Sequence, residues 1–516
     1  MDAPNIRQRP ELIFSLTGAV GTDLDIVCSS ISRLLTEMNY RCQIIQLSQL
    51  LKDCAKEGWE PLIESPEEER TNSYMTRGNH LRESLCRGDA LAILSIASIQ
   101  KHREESTKDK GVTLPRFAFI LKSLKNPDEL RSLREIYGSN LIALSIYSSR
   151  ESRIQRLTKK IADSRHVSKI VEFRATAEQL IQRDEAEEQN RYGQNVRETF
   201  PLADVFIDNT DKADMERSLQ RFLELLFNHP FHTPTRNECA MAQAYISALR
   251  SSSMARQVGA AIVNQQCDLL AIGTNDVPSA QGGLYWCGDS GDARDFQFEV
   301  DASDTLRMNL LGEIIDKMKK VGWFSEAIKK TETKQLLSEA LIEGDPPPFR
   351  KSQLMDVIEY GRAVHAEMAA ISSAANRGIS IKGCNLYTTT FPCHECAKHI
   401  VASGLQRVYY IEPYPKSLVI ELYSDSIAIN GDSDKPDKVQ FIPFDGVAPR
   451  LYMKLFLGDK KRKKKLGEIP KWDKKSAEPI VLDNASLNVL LNEYRAIYEI
   501  YKLMEGVGIS FQKGGQ

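Results

Sequence analysis

Val364-His365-Ala366-Glu367 opens a run that continues as Met368-Ala-Ala-Ile-Ser-Ser-Ala-Ala375 and ends before Gly378. Alanine and methionine are strong helix formers and glycine is a natural stop, so the run predicts a helix whose first turn carries His365 and Glu367. Leu386-Tyr387-Thr388-Thr389-Thr390 follows. Its β-branched and aromatic residues predict a strand. Pro392, just before Cys393-His394-Glu395-Cys396, suits the opening of a second helix. The helix–strand–helix reading puts His365, Cys393 and Cys396 at two helix N-termini. There the positive ends of the helix dipoles favour thiolates and other anions.

The spacing His-x-Glu … Pro-Cys-x-x-Cys resembles the signature of the zinc-dependent nucleobase deaminases. The chemistry accounts for the residue types. Zinc takes imidazole and thiolate ligands, and at a catalytic site it keeps a fourth position open. His365, Cys393 and Cys396 are then the ligands, and Glu367 is the proton carrier. The resemblance implies attack of a zinc-activated water on C4 of a cytosine ring, with Glu367 moving protons to N3 and to the leaving ammonia. A structural zinc site is the alternative. His394 and His399 lie beside the motif; either could serve as a ligand in principle, and a place at the surface or behind the ligands is the expected one.

The chain has 516 residues, too many for one ordinary core, so two or more domains are expected. Lys and Arg total 68 against 70 Asp and Glu, and the net charge of −2 gives no global attraction to nucleic acid or membrane. Beyond the two motif cysteines, Cys28, Cys42, Cys54, Cys86, Cys239, Cys267, Cys287 and Cys384 form no framework. That fits reduced thiols in a cytoplasmic protein. Cys287 and Cys384 are candidates for a second metal site, with buried thiols the plainer reading. A basic segment followed by an apolar one is lacking at the N-terminus, and no apolar run reaches membrane-span length, so neither a signal peptide nor a membrane partner is expected. No internal repeat is found.

From the N-terminus, the strand Leu12-Ile-Phe-Ser-Leu16 feeds Thr17-Gly18-Ala19-Val20-Gly21-Thr22-Asp23-Leu24-Asp25, and a helix follows. Strand, glycine turn and helix make the context of a phosphate-binding loop, with Gly18, Gly21 and Thr22 the candidate nucleotide contacts. The Walker pattern is degenerate: Leu24 stands where the lysine belongs and Asp25 where the Ser or Thr belongs. Further strands are read at Arg41–Gln46, Phe117–Leu121, Leu141–Tyr147 and Ala203–Ile207, while Ala90–Leu94 fits helix or strand. Strands alternating with helices predict a parallel sheet, similar to nucleoside kinases. Lys122, Lys125, Arg150, Arg153 and Arg156 follow the strands, as phosphate ligands or as solvated helix faces. Gln182–Thr199 reads as a lid or a surface helix.

His229–Pro234 reads as a linker. A helix at Glu238–Arg250, a hairpin from Gln257–Val263 and Asp268–Ile272, and the loop Gly273–Pro278 then lead to the motif. A charged helical insertion spans about 300–350, ending in Pro346-Pro347-Pro348, and is read as an active-site cover, a subunit contact or a surface elaboration. After the motif come a strand at Arg407–Ile411, the loop Glu412–Ser417, and six cations at Lys460–Lys465, which fit a nucleic-acid backbone contact or a solvated loop. The predicted fold is α/β throughout. Residues 1–230 form a P-loop-kinase-like parallel-sheet domain. Residues 235–516 form a cytidine-deaminase-like three-layer α/β/α domain.

Both halves together resemble the bacterial antiphage dCTP deaminases, on Arg256-Gln-Val-Gly-Ala, Gly273-Thr-Asn, Glu359-Tyr-Gly-Arg-Ala-Val-His-Ala-Glu, Phe391-Pro-Cys-His-Glu-Cys and Tyr410-Ile-Glu-Pro-Tyr-Pro-Lys. The resemblance implies conversion of dCTP, and often dCMP, to the uracil nucleotide during infection, which depletes dCTP. It assigns Zn2+ to the site and places Arg256, Asn275, Ala366 and Tyr410 at the substrate: Arg256 at phosphate, Asn275 at the 3′-hydroxyl, Tyr410 bordering the base. It also implies a homo-oligomer, and in some systems an inhibitory small RNA. The first domain is expected to bind a regulatory nucleotide without transferring phosphate. The competing readings are a polynucleotide cytosine deaminase and a nucleotide- or RNA-sensing regulator.

Overall fold

The computed structural model describes residues 10–109, 111–185, 187, 190–280, 282–299, 301–344, 347–349, 352–357, 359–412, 417–429, 437–457, 462–480 and 486–511. The chain divides into two compact units, Met1–Glu238 together with Asp445–Gln516, and Cys239–Phe444.

In the first unit, Leu12–Thr17 is buried along its whole length and lies inside a six-stranded sheet. It pairs in parallel with Phe117–Leu124 on one side and Leu141–Tyr147 on the other, and Arg41–Gln46 and Val205–Asp208 extend the sheet in parallel. Continuous apolar runs are what strands covered on both faces require. Leu12, Phe14 and Leu16 face a core shared with helices Leu24–Glu37 and Lys212–Leu226. Ile13 faces the other core, with helix Ala90–Thr107. Ala90–Leu94 is therefore the start of a helix, and its apolar run reflects burial on several sides.

The expected second domain, 235–516, ends too late. At Asp445 the chain returns to the first unit. Gly446–Val447 adds an antiparallel edge to Val205–Phe206, and Ile509–Phe511 pairs with Cys54–Lys56. Ile497, Ile500 and Met504 of helix Ser486–Gly506 enter the same core as Ile93 and Ile99. These pairings join residues hundreds of positions apart, which no local pattern encodes. Of the sequence features singled out, residues 186, 188, 189, 300, 345, 346, 350, 413–416, 460 and 461 lie outside the described residues. Within the basic run, Arg462 Nε donates to Pro230 O at 2.9 Å, so one of its cations serves the fold.

Asp445 is half-buried at this return point, and its Oδ1 accepts from Asp208 N at 3.0 Å. Burial raises its carboxyl to about 6, with the Asp208 and Glu238 carboxylates adding to the shift. The folded state thus binds this proton more tightly than the unfolded one. The stabilisation it brings is complete below the unfolded value near 4 and is lost as pH rises through about 6. At most ~3 kcal/mol is involved. Asp445→Asn keeps the acceptor oxygen and removes the charge. Its melting temperature should exceed that of the wild type by a few degrees at pH 7.5 and match it near pH 4. A gain that does not shrink on acidification would refute the assignment.

The second unit is built on six strands in the spatial order 427–429, 439–443, 407–412, 385–390, 259–263, 269–274. The hairpin strands are antiparallel and the others run parallel. Helix Arg236–Ala248 lies against Gly259, and helix Ala366–Asn376 lies against Gly273. Ala260 is paired with Gly273, so Gly259 and Gly273 point to opposite faces. The two helices therefore cover opposite faces, giving three layers. At both glycines a methyl group would collide with helix backbone. The insertion forms helices Ala302–Lys320, Glu326–Lys330 and Thr333–Leu341, with a small core of Leu311, Ile315 and Leu341. Among the described residues, no helix is long and apolar enough to cross a membrane.

Candidate metal centre and proton carrier

His365 is the N-cap of helix Ala366–Asn376, and Cys393 is the N-cap of helix His394–Ala402. Strand Asn385–Thr390 connects them in sequence and is wholly buried. Cys393 Sγ accepts from Cys396 N at 3.4 Å, a cap that also points the sulfur at the helix N-terminus. His365 Nδ1 lies 3.2 Å from Cys393 Sγ and 3.4 Å from Cys396 Sγ. The three ligand atoms lie within 4.8 Å of one another. One imidazole and two thiols at this spacing fit a zinc ion, with a fourth position left for a small ligand.

Glu367 is 4% exposed, and its Oε1 accepts from Thr388 Oγ1 at 3.0 Å. Its Oε2 lies 3.3 Å from Cys396 Sγ. The carboxylate is thus fixed beside the ligands without joining them. Burial pushes its pKa up, and the Cys393 thiolate adds to that. The hydrogen bond with Cys396, then that with His365, brings the Cys393 thiol down to about 4, so Cys393 carries the negative charge of the pair. The hydrogen bond to Cys393 raises the His365 pKa, against the opposing effect of burial.

The sequence-derived substrate residues are arranged around the same end of the sheet. Val364 bridges to Asp276, which sets Asn275 beside the first ligand. Asn275 Nδ2 donates to Arg256 O at 2.9 Å, and its Oδ1 accepts from Val258 N at 2.7 Å, so this side chain braces segment 256–258. Arg256 is about half exposed and pairs with Glu412 at 3.2 Å. Phe391 N donates to Glu412 O at 2.7 Å, which ties that pair to the second ligand loop. Ala366 is fully buried. Tyr410 lies in the apolar core, edge-on to Phe391 at 4.9 Å, so its contribution at this end of the sheet is to the wall behind Phe391. His399 Nδ1 is 2.8 Å from Glu395 O, and His394 shares a cluster with Glu359 and Glu395. Cys384 is in the core and Cys287 is exposed. Gly18, Gly21 and Thr22 line a cavity of the first unit.

Two residues of this centre were not anticipated. Thr388 was legible only as part of a strand. Its alternation with Thr389, whose hydroxyl accepts from Gly259 N on the other face, is the signal that one threonine points to each layer. Asp276 is 2% exposed and accepts from Ser252 N, Ser252 Oγ and Val277 N. It anchors the loop that carries Asn275 after strand Leu269–Thr274, and an isolated acid in a loop gives no pattern to read.

The family model for the cytidine and deoxycytidylate deaminase zinc-binding region matches residues 234–412. The ion suited to His365, Cys393 and Cys396 is therefore zinc. The chain is 27% identical over 174 residues to deoxycytidylate deaminase of Mus musculus, covering 34% of this chain and 63% of that protein. It is 46% identical over 54 residues to deoxycytidylate deaminase of Enterobacteria phage T4, covering 10% of this chain and 28% of that protein. The chain thus spans less than two thirds of the length of these curated relatives. A crystal structure of dCMP deaminase from the cyanophage S-TIM5 in complex with dCMP and dUMP aligns over 42% of this chain and 100% of that one, at 20% identity and a TM-score of 0.22.

Proposed function

We propose that this chain deaminates free deoxycytidine nucleotides, dCTP and dCMP, to the uracil nucleotides and ammonia, and that it drains the dCTP pool of a phage-infected cell. The observation that carries the reading is Glu367, buried and fixed by Thr388 beside the His365–Cys393–Cys396 cluster, within a region that matches a deaminase family. Zinc, when bound, supplies Lewis acidity that brings the pKa of a water towards neutrality. Glu367 takes the proton of that water, delivers it to the ring nitrogen and passes a proton to the departing amine. Asn275 Nδ2, which gives one N–H to Arg256 O, serves a sugar hydroxyl of the substrate with the other in this reading. Arg256, paired at the surface with Glu412, turns to substrate phosphate. Leu24 and Asp25 in the glycine loop support a regulatory, non-transferring first unit.

Ammonia release by the purified full chain tests this, with dCTP, dCMP, CTP and a cytosine-containing single strand in separate tubes. The expected result is release from dCTP and dCMP and none from the strand. Turnover of the strand alone would replace the proposal with a polynucleotide deaminase. Silence on all four with zinc bound would reject the enzymatic reading for these substrates.

A further inference from the structure

The first unit holds a cavity of about 320 Å³ that the chemistry above does not use. It opens at the C-terminal ends of strands Leu12–Thr17 and Phe117–Leu124, and the loop Gly18–Leu24 forms one side. In an open parallel sheet this is where ligands bind, and the volume falls at the lower end for small-molecule sites. The walls differ in chemistry. Leu47, Leu51, Tyr74, Met75 and Leu91 line it with apolar atoms, and Arg70, Arg82, Lys122, Lys125 and Lys160 line it with cations.

Four of those cations have an acid beside them: Arg70 with Glu67, Arg82 with Glu129, Lys122 with Asp25, and Lys125 with Asp184. Asp184 and Glu129 are the fully buried acids of the four, and Asp184 is the one that meets the glycine loop. Val20 N, at the tip of the glycine loop, donates to Asp184 Oδ2 at 2.6 Å. Lys125 Nζ lies 2.8 and 3.0 Å from the two carboxylate oxygens and donates to Gly18 O at 2.9 Å. A backbone N–H in a glycine loop after a strand, with an ammonium group beside it, is the arrangement that holds a phosphate oxygen. Leu24 fills the sequence position of the loop lysine, and Lys125 brings the ammonium from the end of the adjacent strand. Gly21 has φ +86°, and a methyl group there would strike Arg153, so the loop keeps its close turn. Thr22 Oγ1 is buried with no hydrogen-bond partner among the described residues.

We propose that this cavity binds a nucleoside phosphate, with the nucleoside on the apolar wall and the terminal phosphate in the place that Asp184 holds in the ligand-free chain. Asp184 is an internal competitor. Phosphate enters when helix Arg174–Glu185 gives up its contacts to Val20 and Lys125. This sharpens the regulatory reading of the first unit and stands whether or not the second unit deaminates nucleotides, because binding is measured directly.

Isothermal titration of the full chain with ATP, GTP, UTP and inorganic pyrophosphate tests it. At least one nucleotide should bind, tenfold or more tighter than pyrophosphate. Asp184→Asn should tighten that binding at least tenfold, and Lys125→Gln should weaken it by as much. Asp184 is buried, so a fold defect is guarded against with Lys160→Gln, an exposed cavity lysine with no ion pair among the described residues. That variant should weaken binding severalfold. The proposal is overturned by no nucleotide binding to wild type and Asp184→Asn alike, by affinity indifferent to both Asp184 and Lys160, or by pyrophosphate binding as tightly as the nucleotides.

Discussion

Glu367→Gln should lower ammonia release from dCTP by at least ~10³-fold while zinc content stays at the wild-type level. The size follows from the number of protons the residue handles. General acid–base catalysis by one positioned group contributes ~10²–10⁴-fold, and here the same carboxylate would serve both the entering water and the leaving amine. Glutamine keeps the shape and can still meet Thr388 Oγ1, which holds Glu367 Oε1 at 3.0 Å. It cannot accept and release a proton. The metal should remain, because His365, Cys393 and Cys396 are mutually in contact without help from Glu367. Two measurements on one preparation decide the matter: ammonia released per minute and zinc per chain. Activity within tenfold of wild type would remove Glu367 from the proton path. Loss of zinc together with activity would make it part of the metal site.

The metal centre was legible because local rules and chemistry agree there. An alanine-rich helix, a β-branched strand and a proline-led helix each follow from composition, and together they place three ligands at two helix starts. The parallel sheet of the first unit was legible for the same reason, since its strands are continuous apolar runs between helices. Ala90–Leu94 was ambiguous because a helix buried on several sides loses its periodicity. Tyr410 shows a different limit. An aromatic residue in a motif suggested a base pocket, while alternation along strand Arg407–Glu412 turns it into the core. The partners of Lys125 could not be read either. Its contacts with Gly18 and Asp184 cross 107 and 59 residues of sequence, and only the assembled sheet brings them together. The same holds for the return of the chain at Asp445.

That return carries the second large effect, at Arg103. Replacing it with methionine should destabilise the first unit by ~3–5 kcal/mol at neutral pH, the usual cost of leaving a buried charge without its partner. Arg103 is completely buried in helix Ala90–Thr107. Its Nε is 3.2 Å from Glu11 Oε2, and its Nη1 and Nη2 are 2.6 and 3.0 Å from the two Glu493 oxygens. Glu11 precedes the central strand, and Glu493 lies in helix Ser486–Gly506, so one guanidinium joins both ends of the chain. Burial raises the Glu11 pKa, the Glu493 carboxylate adds to it, and Arg103 is the main force opposing that rise. Without it two carboxylates share an apolar site, and one must take up a proton or the helix must detach. The loss should therefore be smaller at pH 5 than at pH 8, since acid neutralises the stranded pair. Glu11→Gln/Arg103→Met/Glu493→Gln should recover most of the stability, because no buried charge remains. Urea unfolding of the three proteins measures these differences, and amide exchange across residues 486–506 reports whether the helix opens first. An Arg103→Met protein within ~1 kcal/mol of wild type at pH 8 would mean that water reaches the triad, and that the apolar contacts of Ile497, Ile500 and Met504 hold the C-terminal helix without the triad.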